Sequence, residues 1–159
     1  MKFAVADGKR IEATPKAKGN CPGCGADMVA RCGPRRVWHW AHRGQRHCDH
    51  WWENETQWHR DWKNHFPEDW QEVPARDEDG ELHIADIKTP HGWVVEFQHS
   101  YLKLEEALKR TQFHNPMFWV VDGRRRPTDL DQFLKALDNA GLHGKPDEVV
   151  YQLWLHDCR

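Results

Sequence analysis

Leu82-His83-Ile84-Ala85-Asp86-Ile87-Lys88-Thr89-Pro90-His91-Gly92-Trp93-Val94-Val95-Glu96-Phe97-Gln98-His99-Ser100 is the stretch that decides how this chain folds and what it does. Two apolar runs flank the turn residues Thr89 to Gly92, the pattern of a β-hairpin. A three-residue loop Pro90-His91-Gly92, with Gly92 in the left-handed region, would centre the hairpin on His91. Counting outward sets Asp86 opposite Glu96 and Ile84 opposite Gln98. Because strand side chains alternate faces, Asp86, Glu96 and Gln98 then share one face. Two facing carboxylates among Ile84, Ile87, Val94, Val95 and Phe97 repel, so a shared proton, a Lys or Arg, or a divalent cation must offset them. Converging hard oxygens suit Mg²⁺ or Mn²⁺. In another register one acid would point to solvent.

Upstream, Trp51 to Phe66 reads as a helix, because Trp51, Trp58, Trp62 and Phe66 fall on one face of a 3.6-residue period. Glu55 occupies the missing position of that stripe, and an inward carboxylate is costly unless paired or metal-bound. His59 and Lys63 continue from it at steps of four, so the three project from neighbouring positions. After Pro67, Trp70 to Val73 reads as an edge strand and Arg76 to Gly80 as an acidic turn. Beyond the hairpin come a helix from Leu104 to Thr111, a buried strand Met117 to Val121, a helix Asp129 to Asn139 and a last strand Val149 to Leu155. This order describes a mixed α/β sheet.

The front of the chain differs in kind. Phe3 to Ala6 and Arg10 to Thr14 flank Asp7-Gly8-Lys9, a hairpin turn, and Met28 to Arg31 with Arg36 to Trp40 suggest a ribbon. Between them Cys21-Pro22-Gly23-Cys24 is a metal knuckle, whose turn aims two thiolates at one point as tetrahedral zinc requires. The remaining ligands must come from Cys32, His39, His42, His47, Cys48 and His50. Cys21, Cys24, His42 and Cys48 would make a Cys₃His site; Cys21, Cys24, His39 and His42 would make Cys₂His₂. Cys32, at the ribbon turn, is the poorest candidate. A module this small and polar has little apolar core to hold it, which favours a structural metal.

Composition sharpens the division. The 159 residues fit one domain with a small appendage, taken here as a zinc-binding β module over 1–49 and an α/β domain over 50–159. Residues 1–50 carry ten Lys/Arg against four Asp/Glu, a net of +6, whereas the remainder carries thirteen against twenty-one, a net of −8. A basic module of this kind suits an anionic partner. The absence of a long apolar run and of a secretory opening predicts a soluble, cytoplasmic protein with no membrane partner, and five cysteines fit a reducing compartment.

CPGC, HWAH, Cys48, ENETQWH with Lys63 four residues later, ADIK, EFQHS and a following helix with Arg110-Thr111 together resemble the competence protein CoiA-like family, within the PD-(D/E)XK, restriction endonuclease-like nuclease superfamily. The resemblance implies a restriction endonuclease-like mixed sheet flanked by helices. It also implies a Mg²⁺- or Mn²⁺-dependent deoxyribonuclease, with Asp86 and Glu96 as the magnesium ligands. Glu55 and His59 match a helix signature near the metal, while Gln98 stands where the superfamily has Lys. Gln98 could orient the attacking water but cannot neutralise charge as Lys would, so His59 or Lys63 would take over part of that role, and His59 could serve as acid or base. Arg31, Arg35, Arg36, Arg43 and Arg46 are the expected phosphate contacts to DNA, with Arg124 to Arg126 as a second candidate. No base specificity is implied, and a homodimer is open. The rival readings are a non-catalytic nucleic-acid-binding protein of the same fold and a zinc-stabilised protein-interaction domain.

Overall fold

In a computed structural model of the chain, residues 1–44 and 48–139 are described. The expected last strand Val149 to Leu155, with Arg46 and His47, lies outside them. The chain divides into two compact units, Met1–Val94 and Val95–Arg159, so the composition break near residue 50 falls inside the first. Its strands sort into a five-stranded and a four-stranded sheet, with three helices: a mixed α/β architecture. Among the described residues no helix is long and apolar enough to cross a membrane.

The first unit opens with strands β1 (Phe3–Ala6), β2 (Lys9–Glu12), β3 (Lys18–Asn20), β4 (Asp27–Arg31) and β5 (His39–His42), arranged β2-β1-β3-β4-β5. The first hairpin is tighter than expected. Ala6 pairs with Lys9, so Asp7 and Gly8 alone form the turn, both at positive φ (50° and 74°), the primed geometry that matches strand twist. The ribbon is also displaced: its second strand is His39–His42 rather than Arg36 to Trp40, and Met28 pairs with His42. That pairing, which sequence spacing alone could not settle, brings His42 level with the residues after the Cys knuckle. The core of this sheet is small: Ala4, Ala13, Met28 and Trp40 pack with Cys21 and Cys48, and the Trp40 indole donates to Ile11 O at 3.0 Å.

The helix expected over Trp51 to Phe66 is far shorter. It runs Gln57–Lys63 (α1), capped by Thr56, whose Oγ1 accepts from His59 N at 3.3 Å. Tertiary contacts claim the residues before it. Trp51 stacks on His83 with ring centroids 3.2 Å apart, and Asp49 accepts from Trp51 N at 2.9 Å. The aromatic stripe is not the buried face either. Trp62 is 39% exposed and packs edge-on against Trp58, whereas His59 and Lys63 point inward. A 3₁₀ turn, Glu68–Trp70, leads into β6 (Gln71–Arg76), which pairs antiparallel with β7 (Leu82–Lys88), Val73 opposite Ala85. The following turn closes with Thr89 N donating to Trp93 O at 2.8 Å and Gly92 at φ +86°, a loop of three residues.

From its start at Val94, β8 (Val94–Gln98) continues into the second unit, which adds α2 (Leu104–Phe113), β9 (Met117–Val121) and α3 (Asp129–Asn139); β6 to β9 make up the four-stranded sheet. All five residues of β8 are buried.

Candidate functional site

Two groups of chemistry-bearing side chains stand out in the first unit, and they are built by different means. The first is the knuckle. Cys21 N donates to Ala26 O at 2.8 Å and Gly25 N to Cys21 O at 2.9 Å, a tight turn that needs Gly25 at φ +74°. Gly23 matters for another reason: a Cβ there would meet Leu82 Cδ2 at 2.9 Å, so any other residue would make the Leu82 and Ile84 side chains of β7 give way.

This turn, the end of β5 and the loop after it bring Cys21, Cys24, His42 and Cys48 together, their ligand atoms all within 4.8 Å of one another. The Cys21 and Cys48 sulfurs are 3.7 Å apart, and His42 Nε2 lies 3.4 Å from Cys24 Sγ and 3.2 Å from Cys48 Sγ. A tetrahedral zinc with metal–sulfur bonds of about 2.3 Å sets its thiolates ~3.8 Å apart, so the four could hold a zinc ion with little adjustment. Among the described residues this is the one group of three or more Cys, His, Asp or Glu gathered so tightly. Burial, then the neighbouring thiols, push the Cys21 and Cys48 thiols upward, so without a cation these sulfurs hold their protons. His39 stays outside the group, its Nδ1 2.8 Å from Val37 O, and Cys32 is a free, half-buried thiol. Of the two ligand sets left open by spacing, the Cys₃His set is the one assembled.

Residues 6–50 match the N-terminal domain of competence protein CoiA. All four candidate ligands lie inside the CoiA match, which supports a CoiA-like assignment for this part of the chain and stops short of α1 and β6 to β9. No curated protein and no solved structure matches the chain.

The second group is carboxylates around one lysine. Lys63 Nζ lies 3.1 Å from Glu55 Oε2, 3.0 Å from Glu72 Oε1 and 3.2 Å from Asp86 Oδ1, with its side chain 3% exposed. Glu55, expected on a helix face, precedes the cap instead and reaches Lys63 from an extended segment; it also pairs with Arg60 at 3.3 Å and the Met1 amine at 3.8 Å. Glu72 was not legible as a site residue. It sits at φ +47° in β6 and accepts from Lys2 N at 2.6 Å and Phe3 N at 2.9 Å, tying the amino-terminal strand to the cluster.

The charges balance by proximity. Burial alone would raise Glu55, but Lys63, then the Met1 amine and Arg60, outweigh it and hold its carboxyl at about 2. Glu72 is lowered in the same contest, with burial opposing and Lys63 prevailing. Burial would lower Lys63, yet Glu55, Glu72 and Asp86 lift it well above the usual lysine range, so it is a fixed cation. His59 is buried at 4% exposure with Nδ1 2.7 Å from Thr56 Oγ1; burial and Lys63 lower it despite the pull of Asp86, keeping the imidazole neutral. Lys63 supplies one of the three offsets open for Asp86.

The other expected residues are placed as follows. In the second unit, Glu96 is buried with Arg110 Nη1 at 3.8 Å, and Gln98 is buried with Nε2 donating to Ser100 O at 2.9 Å. Arg31, Arg35, Arg36 and Arg43 are exposed in the first unit. Arg124 and Arg126 are exposed in the second, and Arg125 lies 4.0 Å from Asp129.

Proposed function

We propose that this chain is a competence-related, metal-dependent nuclease of restriction endonuclease-like fold that hydrolyses phosphodiester bonds in DNA, with a zinc-stabilised N-terminal module aiding binding. The observation that carries the reading is the contact of Lys63 Nζ with Asp86 Oδ1 at 3.2 Å. In the resembling superfamily a lysine two residues after the metal-binding Glu stabilises the scissile phosphate, and here Gln98 fills that position. Lys63 brings a permanent positive charge from α1 to the acid that the resemblance assigns to the metal. Held protonated, it serves as an electrostatic stabiliser of developing phosphate charge and not as a base.

Asp86 also fits a divalent ion best among the three carboxylates. Its side chain is 20% exposed, against 4% for Glu55 and 3% for Glu72, which are already committed to Lys63, Arg60 and backbone N–H groups. Glu55 therefore reads as a positioning residue for Lys63. Asp86 would hold the Mg²⁺ or Mn²⁺, with Glu96 as the second acid the resemblance implies, and the ion would supply an activated water and charge stabilisation for the phosphate. His59, neutral beside this cluster, is suited to accept the water's proton.

The test is a cleavage panel over linear, circular, single-stranded and branched DNA with Mg²⁺, Mn²⁺ or no added divalent ion. Asp86→Asn should lower the rate by roughly 10²-fold or more, the scale of losing metal-dependent charge stabilisation, with zinc content and circular dichroism unchanged. Undiminished cleavage by that variant would remove the proposal. One observation favours the runner-up, a non-catalytic nucleic-acid-binding protein: the Lys63 cluster compensates its own charges. Binding without cleavage under every metal would select it.

A further inference from the structure

A groove of about 730 Å³ in the first unit lies apart from both groups above, between the β4–β5 connection and the segment before α1. Arg31, Arg35 and Arg36 line one part of it, Trp52 and Asn54 another, and no carboxylate lines it. Among the described residues, no Asp or Glu lies within ion-pair distance of any of these three arginines; Arg36 Nη1 reaches Asn54 Oδ1 at 3.5 Å. By contrast Arg60 holds Glu55 and Glu12, and Arg10 and Arg76 each donate to two backbone carbonyls. Three arginines thus gather beside the Trp52 indole, which is 36% exposed, with a second exposed indole, Trp38, on the β4–β5 connection.

An anion alone would account for the arginines but not for Trp52. Unpaired nucleic acid accounts for both, because its phosphates seek guanidinium groups while its bases offer faces that stack on an aromatic ring. A duplex hides those faces within its own stack. We propose that this groove binds single-stranded nucleic acid, with backbone phosphates on Arg31, Arg35 and Arg36 and a base stacked on Trp52. The proposal deepens the nucleic-acid reading given above and rests on it for the partner class, but not on catalysis.

The test uses the full, zinc-loaded chain without added Mg²⁺, at moderate salt. Fluorescence anisotropy follows labelled oligodeoxythymidine and oligouridine of about 20 nucleotides, longer than one binding module's usual footprint, and a duplex of equal length. The single strands should bind about tenfold or more tightly than the duplex. Trp52→Ala should weaken single-strand binding by about tenfold and Trp52→Phe should restore most of it, since any aromatic face stacks. Arg35→Ala with Arg36→Ala, both at the surface, should flatten the salt dependence by about 0.7 per lost phosphate contact. Preference for the deoxy or the ribo strand identifies which natural source occupies the groove; either supports it. Duplex binding as tight as single-strand binding, or full affinity in a folded Trp52→Ala variant, overturns it. Asp86→Asn separates the two proposals: it should abolish cleavage and leave single-strand affinity intact.

Discussion

The knuckle and the lysine cluster occupy the same compact unit, yet they hold polar atoms in opposite ways. Cys21, Cys24, His42 and Cys48 bring their ligand atoms within 4.8 Å of one another and could hold a cation from outside. Glu55, Glu72 and Asp86 converge on a cation the chain itself provides. In the second, removing Lys63 would leave the buried Glu55 and Glu72 without their shared cation. The contrast teaches that one cluster gathers around a cation the chain supplies, while the other leaves its donor atoms facing one another.

The largest expected effect breaks the first half of that comparison. Zinc removal by a chelator, or Cys21→Ser, should melt the β1–β5 sheet, because structural zinc contributes on the order of 10 kcal/mol to small modules at neutral pH and the core there is thin. Elemental analysis should give one zinc per chain, and loss of the near-ultraviolet signal of buried Trp40 should track its release. A chain that keeps this signal without bound zinc would undo the comparison.

The next expected effect addresses the second half. Lys63→Met should destabilise by about 3–5 kcal/mol, the cost of stranding buried charges whose partner is gone, measured by urea denaturation with zinc bound. A Glu55→Gln change in that background should recover part of the loss, and strict additivity of the two would argue against their coupling.

The smallest effect is the acid limb. Glu55 is held at about 2, below its ordinary value of 4.5, so its contribution is fully present above pH 4.5 and is lost as pH falls from 4.5 toward 2. Glu72 and Asp49 are shifted the same way. For Glu55 alone this amounts to about 3 kcal/mol. Stability measured across that window should decline, and Glu55→Gln should flatten the decline; zinc content read in parallel separates it from proton competition at the thiolates.

The two groups also differ in how far the sequence disclosed them. CPGC announces its geometry because a four-residue turn fixes where both sulfurs go, and the candidate partners were few enough to enumerate. The displaced ribbon, with Met28 opposite His42, then chose among them. The lysine cluster was only half visible. Asp86 stands out from the hairpin, but Glu55, His59 and Lys63 stand out for a wrong reason: a helix from Trp51 to Phe66 would put an aromatic stripe inside and a Glu-His-Lys ladder beside it. In the fold, Trp51 leaves to stack on His83, Thr56 starts the helix, and Lys63 meets Glu55 across a bend and not along a helical face.

By itself the amino-acid sequence determined the local features: the Asp7-Gly8 and Pro90-Gly92 turns, the strand Met117–Val121, the helix Asp129–Asn139 and the Cys-rich knuckle, each set by contacts within a few residues. Only tertiary structure decided that Glu72, at a positive φ, joins the amino-terminal strand to Lys63, and that α1 leaves Trp62 exposed while burying Lys63. Those outcomes depend on which distant charges reach one another in a medium of low dielectric, where a contact of 3 Å outweighs any preference of a local segment, and residue spacing along the chain does not record that distance.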